Sequence, residues 1–509
     1  MKNLFVRHRE SRYLPLLDWA ALLGSIVLFT ALSLPTLLNA SAYFDEGYSA
    51  YLAQFNPLTI AAYTALDVHP PLYYTLLHFW QGIVGLDITK LRLLSVIFAW
   101  IAIFFGWLIA RRWFGRPATW MTPLLMALSP LFIRYGGVMR MYTLALAIAF
   151  AGTYVLLRAV NSKGRKWWAA YAVLVAAGMW TNYFMALVWI THLVWLLYIY
   201  RKQTTIMQSW RRSFLWALVL YIVWLPMLLF RYGEIQLSGF WIKPLSLETL
   251  VSTITQSIVF QSAAETKTWV AIGVIVFVVA IVLTGRQVYK QLDKDKKPVF
   301  QLVMAMSSLP VILLTLGSLP PLRSSYVYRY VLVASTSAAV LTAIVIAYAK
   351  FKQNDTLLRT GLYALTILLL GYGAANVMIS GNRNLDTNSQ NMLSGVMYDV
   401  HRSGHKAPVI VRSPYTYYVA RMYTSPDYNV YFVYSSSLEK VGSTKPLYDH
   451  PETSIVNFDG LNKVWIVGED ARSVAAPQGN WVKKDYYNHY DNETNKLVAA
   501  GAYYERTTK

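Results

Sequence analysis

The sequence contains no cysteine. Disulfides are therefore excluded throughout, including in any external domain, as are cysteine-based metal sites. A bacterial origin fits this absence. Acidic residues are scarce: Asp and Glu number 25 in 509 residues, against 46 Lys and Arg. Only 14% of the chain is charged and 56% is hydrophobic, where soluble domains hold about 25% and about 45–50%. A soluble globular protein is excluded on those numbers. The chain also lacks a phosphate-binding P-loop, a GxSxG nucleophile elbow, an internal repeat and any low-complexity tract.

What the chain does have is apolar runs of about 17 to 25 residues recurring along most of its length, the signature of membrane-spanning helices. The net charge of +21 does not indicate nucleic acid, because its placement is wrong. The basic residues fall in short segments between apolar runs: Arg111, Arg112 and Arg116; Lys163, Arg165 and Lys166; Arg201, Lys202, Arg211 and Arg212. That is the pattern by which cytoplasmic loops set orientation. The leading segment, with Lys2, Arg7, Arg9 and Arg12, is followed by a run too long for a signal-peptide core, so it reads as a retained first helix with a cytoplasmic N-terminus.

About eleven spans satisfy every basic loop at once. They begin near Leu14, Leu91, Ala118 and Met139; two short ones share Trp167 to Tyr200; the seventh runs from about Ser213 to Phe230. The last, about Thr360 to Ile379, exits outward. Residues 1–380 are thus expected to form a polytopic, mainly α transmembrane domain whose first external loop is 39–90. Residues 381–509 turn polar, with β-like runs at Val409 to Arg412, Val430 to Tyr434, Lys463 to Val467 and Val498 to Tyr504, and a helix at Pro414 to Tyr423. They read as a small extracytoplasmic α/β domain. The protein is expected in the cell membrane.

The first external loop holds four titratable groups where acids are otherwise rare: Asp45, Glu46, Asp67 and His69. Its stretches Tyr43 to Phe55 and Pro71 to Gly85 are aromatic-rich and too short or polar to span, so they are expected to be surface helices. One carboxylate of the Asp45–Glu46 pair is suited to take the proton of an attacking hydroxyl. The other could orient the acceptor or hold a cation. In Asp67-Val68-His69-Pro70-Pro71 the prolines stiffen the chain and bias His69 towards extended geometry. On an extended segment Asp67 and His69 project to one side, a pairing able to bind a sugar, a phosphate or a metal. A divalent cation at Asp45, Glu46, Asp67 and His69 stays open, since carboxylates are the right donor class. Arg134, Arg140, Arg323 and Arg329 sit in outer turns, where the charge rule does not want them. Arg140 and Arg329 stand beside tyrosines at the start of spans, in MRMY (with Tyr142) and YRY, and arginine suits bidentate phosphate contact.

FDEG at 44–47 followed by DVHPPL at 67–72 resembles the protein O-mannosyltransferase branch (family 39) of the GT-C glycosyltransferase superfamily. Those enzymes carry an Asp-Glu pair in the first external loop and Asp-x-His-Pro-Pro shortly after it. The resemblance covers roughly residues 10 to 380. It implies a GT-C fold and inverting transfer of one sugar from a polyprenyl monophosphate carrier to an acceptor on the non-cytoplasmic face. Mannosyl transfer to protein or to a cell-envelope glycan is among the reactions implied. It implies Asp45 as base with Glu46 beside it, Asp67 and His69 shaping the sugar and acceptor site, and Arg140 near the lipid phosphate. The chain departs from the family after the prolines, where Leu72-Tyr73-Tyr74 replaces a Leu-Gly-Lys type continuation. Partners on this reading are the lipid-linked donor, a glycan, lipid or protein acceptor, and membrane lipid, with no nucleic acid. Two rivals are a flippase for lipid-linked sugars, which would want polar residues near the membrane midplane, and a cell-envelope sensor, which would not need both acidic motifs.

Overall fold

The computed structural model describes residues 14–162, 164–238, 242–349, 356–380, 383–384, 389–390, 392–425, 427–434, 442–491 and 495–507. The basic N-terminal segment lies outside the described residues.

The first helix, α1 (Leu14–Asn39), delivers the chain to a loop built of three short helices: α2 (Phe44–Leu52), α3 (Pro57–Ala65) and α4 (Leu72–Val84). The sequence indicated α2 and α4. It did not indicate α3, which Asn56 starts by accepting hydrogen bonds from the Leu58 and Thr59 N–H groups, with Pro57 in the first turn. Asp87 caps α5 (Ile88–Trp113) through the Lys90 N–H, and α5 runs back along α1.

The third expected span is not one helix. It breaks into α6 (Arg116–Ala127) and α7 (Pro130–Gly136). Ser129 has ψ 116°, because a residue before proline is pushed out of the helical region. Next come α8 (Tyr142–Asn161), α9 (Arg165–Thr181) and α10 (Met185–Tyr200). The turn between α9 and α10 falls at Asn182, as the polar triplet there predicted, and its Oδ1 accepts from the Phe184 N–H at 2.8 Å. The seventh run starts at Thr204 rather than about Ser213. It is α11 (Thr204–Tyr221), a 3-10 turn (Ile222–Trp224) and α12 (Leu225–Ser238). After these come α13 (Leu247–Val259), α14 (Thr268–Gln291), α15 (Lys297–Leu316), a 3-10 turn (Tyr328–Val331) running into α16 (Leu332–Tyr348), and α17 (Thr356–Ser380).

Eight of these helical runs are long and apolar enough to cross a membrane. The other three expected runs fall on α6–α7, α9 and α10. Burial ranks them: 83% of the apolar window in α8 lies inside the protein but only 17% of that in α14. Thus α8 is the axis of the bundle, and α14 turns most of its apolar side chains outward, as a lipid-facing helix does. One end of the bundle gathers the basic loops, with Arg111 on Asp18 at 3.2 Å and the Tyr348 hydroxyl on the Phe114 carbonyl. Asp45, Arg140 and Arg329 lie at the other end.

Beyond α17 come a two-residue hairpin, β1 (Arg383–Asn384) and β2 (Ser389–Gln390), and then α18 (Leu393–Arg402), β3 (Val409–Val411), α19 (Pro414–Ala420), β4 (Val430–Val433), α20 (Lys445–Tyr448), β5 (Ser454–Ile455), β6 (Lys463–Gly468), β7 (Trp481–Tyr490) and β8 (Leu497–Arg506). The six-stranded sheet has the order β5-β4-β3-β6-β8-β7. Its first four strands are parallel, and β8 is antiparallel to both β6 and β7. The sequence did not indicate β7 because WVKKDYYNHY is polar along its length, as an exposed edge strand is built. In α18 the signal was present and unused: Leu393, Val396, Met397 and Val400 are buried at helical spacing.

The sheet region is joined to the first loop at Gly47. A Cβ there would meet the Tyr418 carbonyl oxygen at 2.5 Å and the Val419 nitrogen at 2.9 Å, so α19 lies on α2 backbone to backbone. Tyr418 packs against Phe44, Tyr48 and Tyr51. The Tyr423 hydroxyl accepts from the Ala42 N–H at 2.9 Å.

Candidate active site

The first carboxylate, Asp45, opens α2 and is half-exposed, with 35% of its side chain open. Arg140, from the turn between α7 and α8, is buried behind it. Its Nε stands 3.9 Å from Asp45 Oδ2, and that Nε has no hydrogen-bond partner among the described residues. The rest of the guanidinium is anchored: Nη1 donates to the Tyr74 hydroxyl at 2.9 Å and to Ser49 Oγ and the Asp45 carbonyl at 3.3 Å. Burial by itself would raise the Asp45 carboxyl. Arg140, then Arg329 outweigh it and hold the group below the usual carboxylate range.

Glu46 does not share this space. It is 0% exposed and paired with Arg92 of α5, whose Nε and Nη2 each reach it at 2.8 Å. It also accepts from the Met139 N–H at 2.9 Å and the Tyr43 N–H at 3.4 Å. Arg92 Nη1 donates to the Leu37 and Ala40 carbonyls at the end of α1. A place for Glu46 beside the acceptor is therefore corrected: it ties α1, α2, α5 and the Arg140 turn together. Sequence reading passed over Arg92, although a lone arginine within an apolar run is itself a signal of buried function.

The segment at 67–69 bends rather than extending, so the expected alternation of Asp67 and His69 does not hold. The charged groups that most affect each are Arg140 and Asp45. Burial raises the Asp67 carboxyl despite Arg140, and burial followed by Arg140 pushes the His69 imidazole well below its usual value. Sequence reading also missed Arg231, which acts on Asp67 and donates to the Ala65 carbonyl at 3.0 Å, and Tyr74, the anchor of Arg140.

Arg329 and Tyr142 line a small, partly open cleft between α8, α10, α15 and α16. Asn182 adds a third polar group, and Val188, Pro310 and Leu332 are among its apolar walls. The lining is mostly apolar, and its Arg329 also acts electrostatically on Asp45.

No metal site is assembled among the described residues: no three of His, Asp and Glu stand close enough to hold an ion. Glu46 is committed to Arg92, and Asp45, Asp67 and His69 share the field of the Arg140 cation.

Residues 68–230 match the family described as dolichyl-phosphate-mannose-protein mannosyltransferase. The match opens inside DVHPP and stops short of Asp45. Comparison with curated protein sequences finds no match. Among solved structures, ArnT from Cupriavidus metallidurans in the apo state aligns with a TM-score of 0.57 at 12% identity, over 94% of this chain and 98% of that one. The same protein bound to undecaprenyl phosphate aligns over the same shares, with a TM-score of 0.56 at 12% identity. The archaeal oligosaccharyltransferase AglB from Archaeoglobus fulgidus, in complex with an inhibitory peptide and a dolichol-phosphate, aligns with a TM-score of 0.51 at 12% identity, over 82% of this chain and 65% of that one. The fold is that of the GT-C membrane glycosyltransferases. Over residues 68–230 the sequence resembles the protein mannosyltransferase family.

Proposed function

We propose that this chain is an inverting glycosyltransferase that moves a sugar from a polyprenyl-phosphate carrier to an acceptor hydroxyl. The observation that carries the reading is Asp45. It is an ionised, partly exposed carboxylate beside a buried arginine with an unused N–H, in the field of Arg329, which lines a mostly apolar cleft. The acceptor oxygen attacks the anomeric carbon as its proton passes to Asp45. The bond from that carbon to the phosphate oxygen breaks, and the lipid phosphate leaves as an anion that needs no proton. Arg140 and Arg329 stabilise the charge gathering on that phosphate. A single displacement inverts the anomeric centre. Tyr142 and Asn182 border the phosphate end, and the apolar walls take the first isoprene units. Asp67 and His69 face the sugar, His69 as neutral imidazole.

The neighbours support this donor class: ArnT is bound to undecaprenyl phosphate and AglB to a dolichol-phosphate. The match at 68–230 makes mannose the first sugar to try. The end with the basic loops faces the cytosol, so Asp45 and the C-terminal sheet face outward, where the sheet helps present the acceptor. In proteoliposomes with a mannosyl polyprenyl phosphate, Asp45→Asn should lower transfer by about 10² to 10⁴ while donor binding persists. Turnover near that of the parent protein would remove Asp45 as the base.

A further inference from the structure

The C-terminal sheet reverses its winding between β3 and β6. From β3 the chain passes through α19 to β4 on one side, then returns to β6 on the other. Where successive connections diverge in this way, an open α/β sheet leaves a crevice at the carboxyl ends of its strands, and ligands bind there. Here that position lies between Ser413 to Thr416 after β3 and Glu469 and Asp470 after β6. The Thr416 hydroxyl donates to Glu469 across it at 3.3 Å.

The same α19 that opens this crevice lies on α2. Tyr415 is 46% exposed, and its ring meets Phe44 edge-on at 5.0 Å. Phe44 immediately precedes Asp45. Behind it, Tyr48 is 1% exposed, and its hydroxyl has no hydrogen-bond partner among the described residues. A crevice of the kind that binds ligands is therefore joined by aromatic rings to the N-terminal turn that carries the proposed base.

We propose that this crevice, with Phe44 and Tyr415, is the acceptor subsite and that it binds a neutral saccharide, leaving one hydroxyl at Asp45. This rests on the reading of Asp45 as base. Exposed rings suit the C–H faces of sugars, and Glu469 suits their hydroxyls. Two exposed carboxylates, Glu469 and Asp470, repel a phosphorylated acceptor. The sheet edges, β5 and β7, lie at its two ends, so the crevice offers a peptide no open strand with which to pair.

The test is saturation-transfer NMR on the full-length protein in nanodiscs, with linear gluco- and manno-pentaoses as probes. A Ser/Thr-rich peptide and a phosphorylated disaccharide serve as competitors. The expected result is binding of a neutral pentaose that neither competitor displaces. Tyr415→Ala and Glu469→Gln should each weaken it by about tenfold, and Tyr415→Phe should restore the ring contact. No pentaose binding to the parent protein, displacement by the peptide or the phosphorylated sugar, or unaltered binding in both variants overturns the proposal. Asp45→Asn should bind the pentaose as the parent does. Normal turnover by that variant would sink the base and leave the subsite standing.

Discussion

Consecutive residues on a helix point about 100° apart, and at the start of α2 that rotation sends two adjacent carboxylates into different surroundings. Asp45 meets the site. Glu46 accepts hydrogen bonds from Arg92, Met139 and Tyr43. Removing one member of a buried pair leaves the other charge uncompensated. Arg92→Met should therefore cost about 3–5 kcal/mol in thermal unfolding of the purified protein, and the double variant with Glu46→Leu should recover part of it. Equal melting of parent and Arg92→Met would show that the pair is dispensable. His69 supplies a second test. Its folded pKa lies well below the ordinary 6.5, through burial and then Arg140. As pH falls through that value the unfolded chain takes a proton and the folded one does not. Stability is thus complete above about 6.5 and declines as pH drops below it. His69→Gln should flatten that slope between about pH 7 and pH 5, and a slope identical to the parent's would contradict the assignment. The sequence showed which residue types gather in this loop. It did not show which carboxylate faces outward, because that depends on where Arg92 and Arg140 arrive from other helices.

At the scale of elements, the joint between α2 and α19 decides how the site is walled. Gly47 belongs to the FDEG stretch that looks catalytic in sequence, yet its own work is steric. A methyl group there would lie 2.5 Å from a backbone oxygen of Tyr418, which cannot move as a flexible side chain would. Gly47→Ala should push α19 off α2 at a cost of about 1–3 kcal/mol. Limited proteolysis should then cut the chain after Tyr423 faster than in the parent protein, and unaltered cleavage would mean that the joint is looser than its geometry. Helix and strand positions were legible where hydrophobic periodicity is strong. The break between α6 and α7 was legible in Pro130 but hidden inside an apolar run, and β7 has no apolar face to read.

For the whole molecule, the decisive feature is the cleft where α8, α10, α15 and α16 meet. Val188 and Leu332 reach it from different helices, so on the proposed function widening either residue would narrow the path for a carrier lipid. Val188→Trp or Leu332→Trp should raise the KM for the polyprenyl-linked donor by about tenfold, about 1.4 kcal/mol of lost binding. A donor on a short alkyl chain should suffer less. Equal KM values for parent and variants on the long-chain donor would remove the cleft from the donor's path.

By itself the sequence determined membrane residence, the order of the helical runs and the loop that carries the acids. Those properties are written in stretches of about 20 residues, where hydrophobicity and local backbone preference suffice. Only the tertiary structure decided that Glu46 braces the bundle and that a helix from the C-terminal sheet closes over the first loop. Each of these depends on groups packed together from distant parts of the chain, Ala42 with Tyr423 being 381 positions apart, and no local pattern encodes such a meeting.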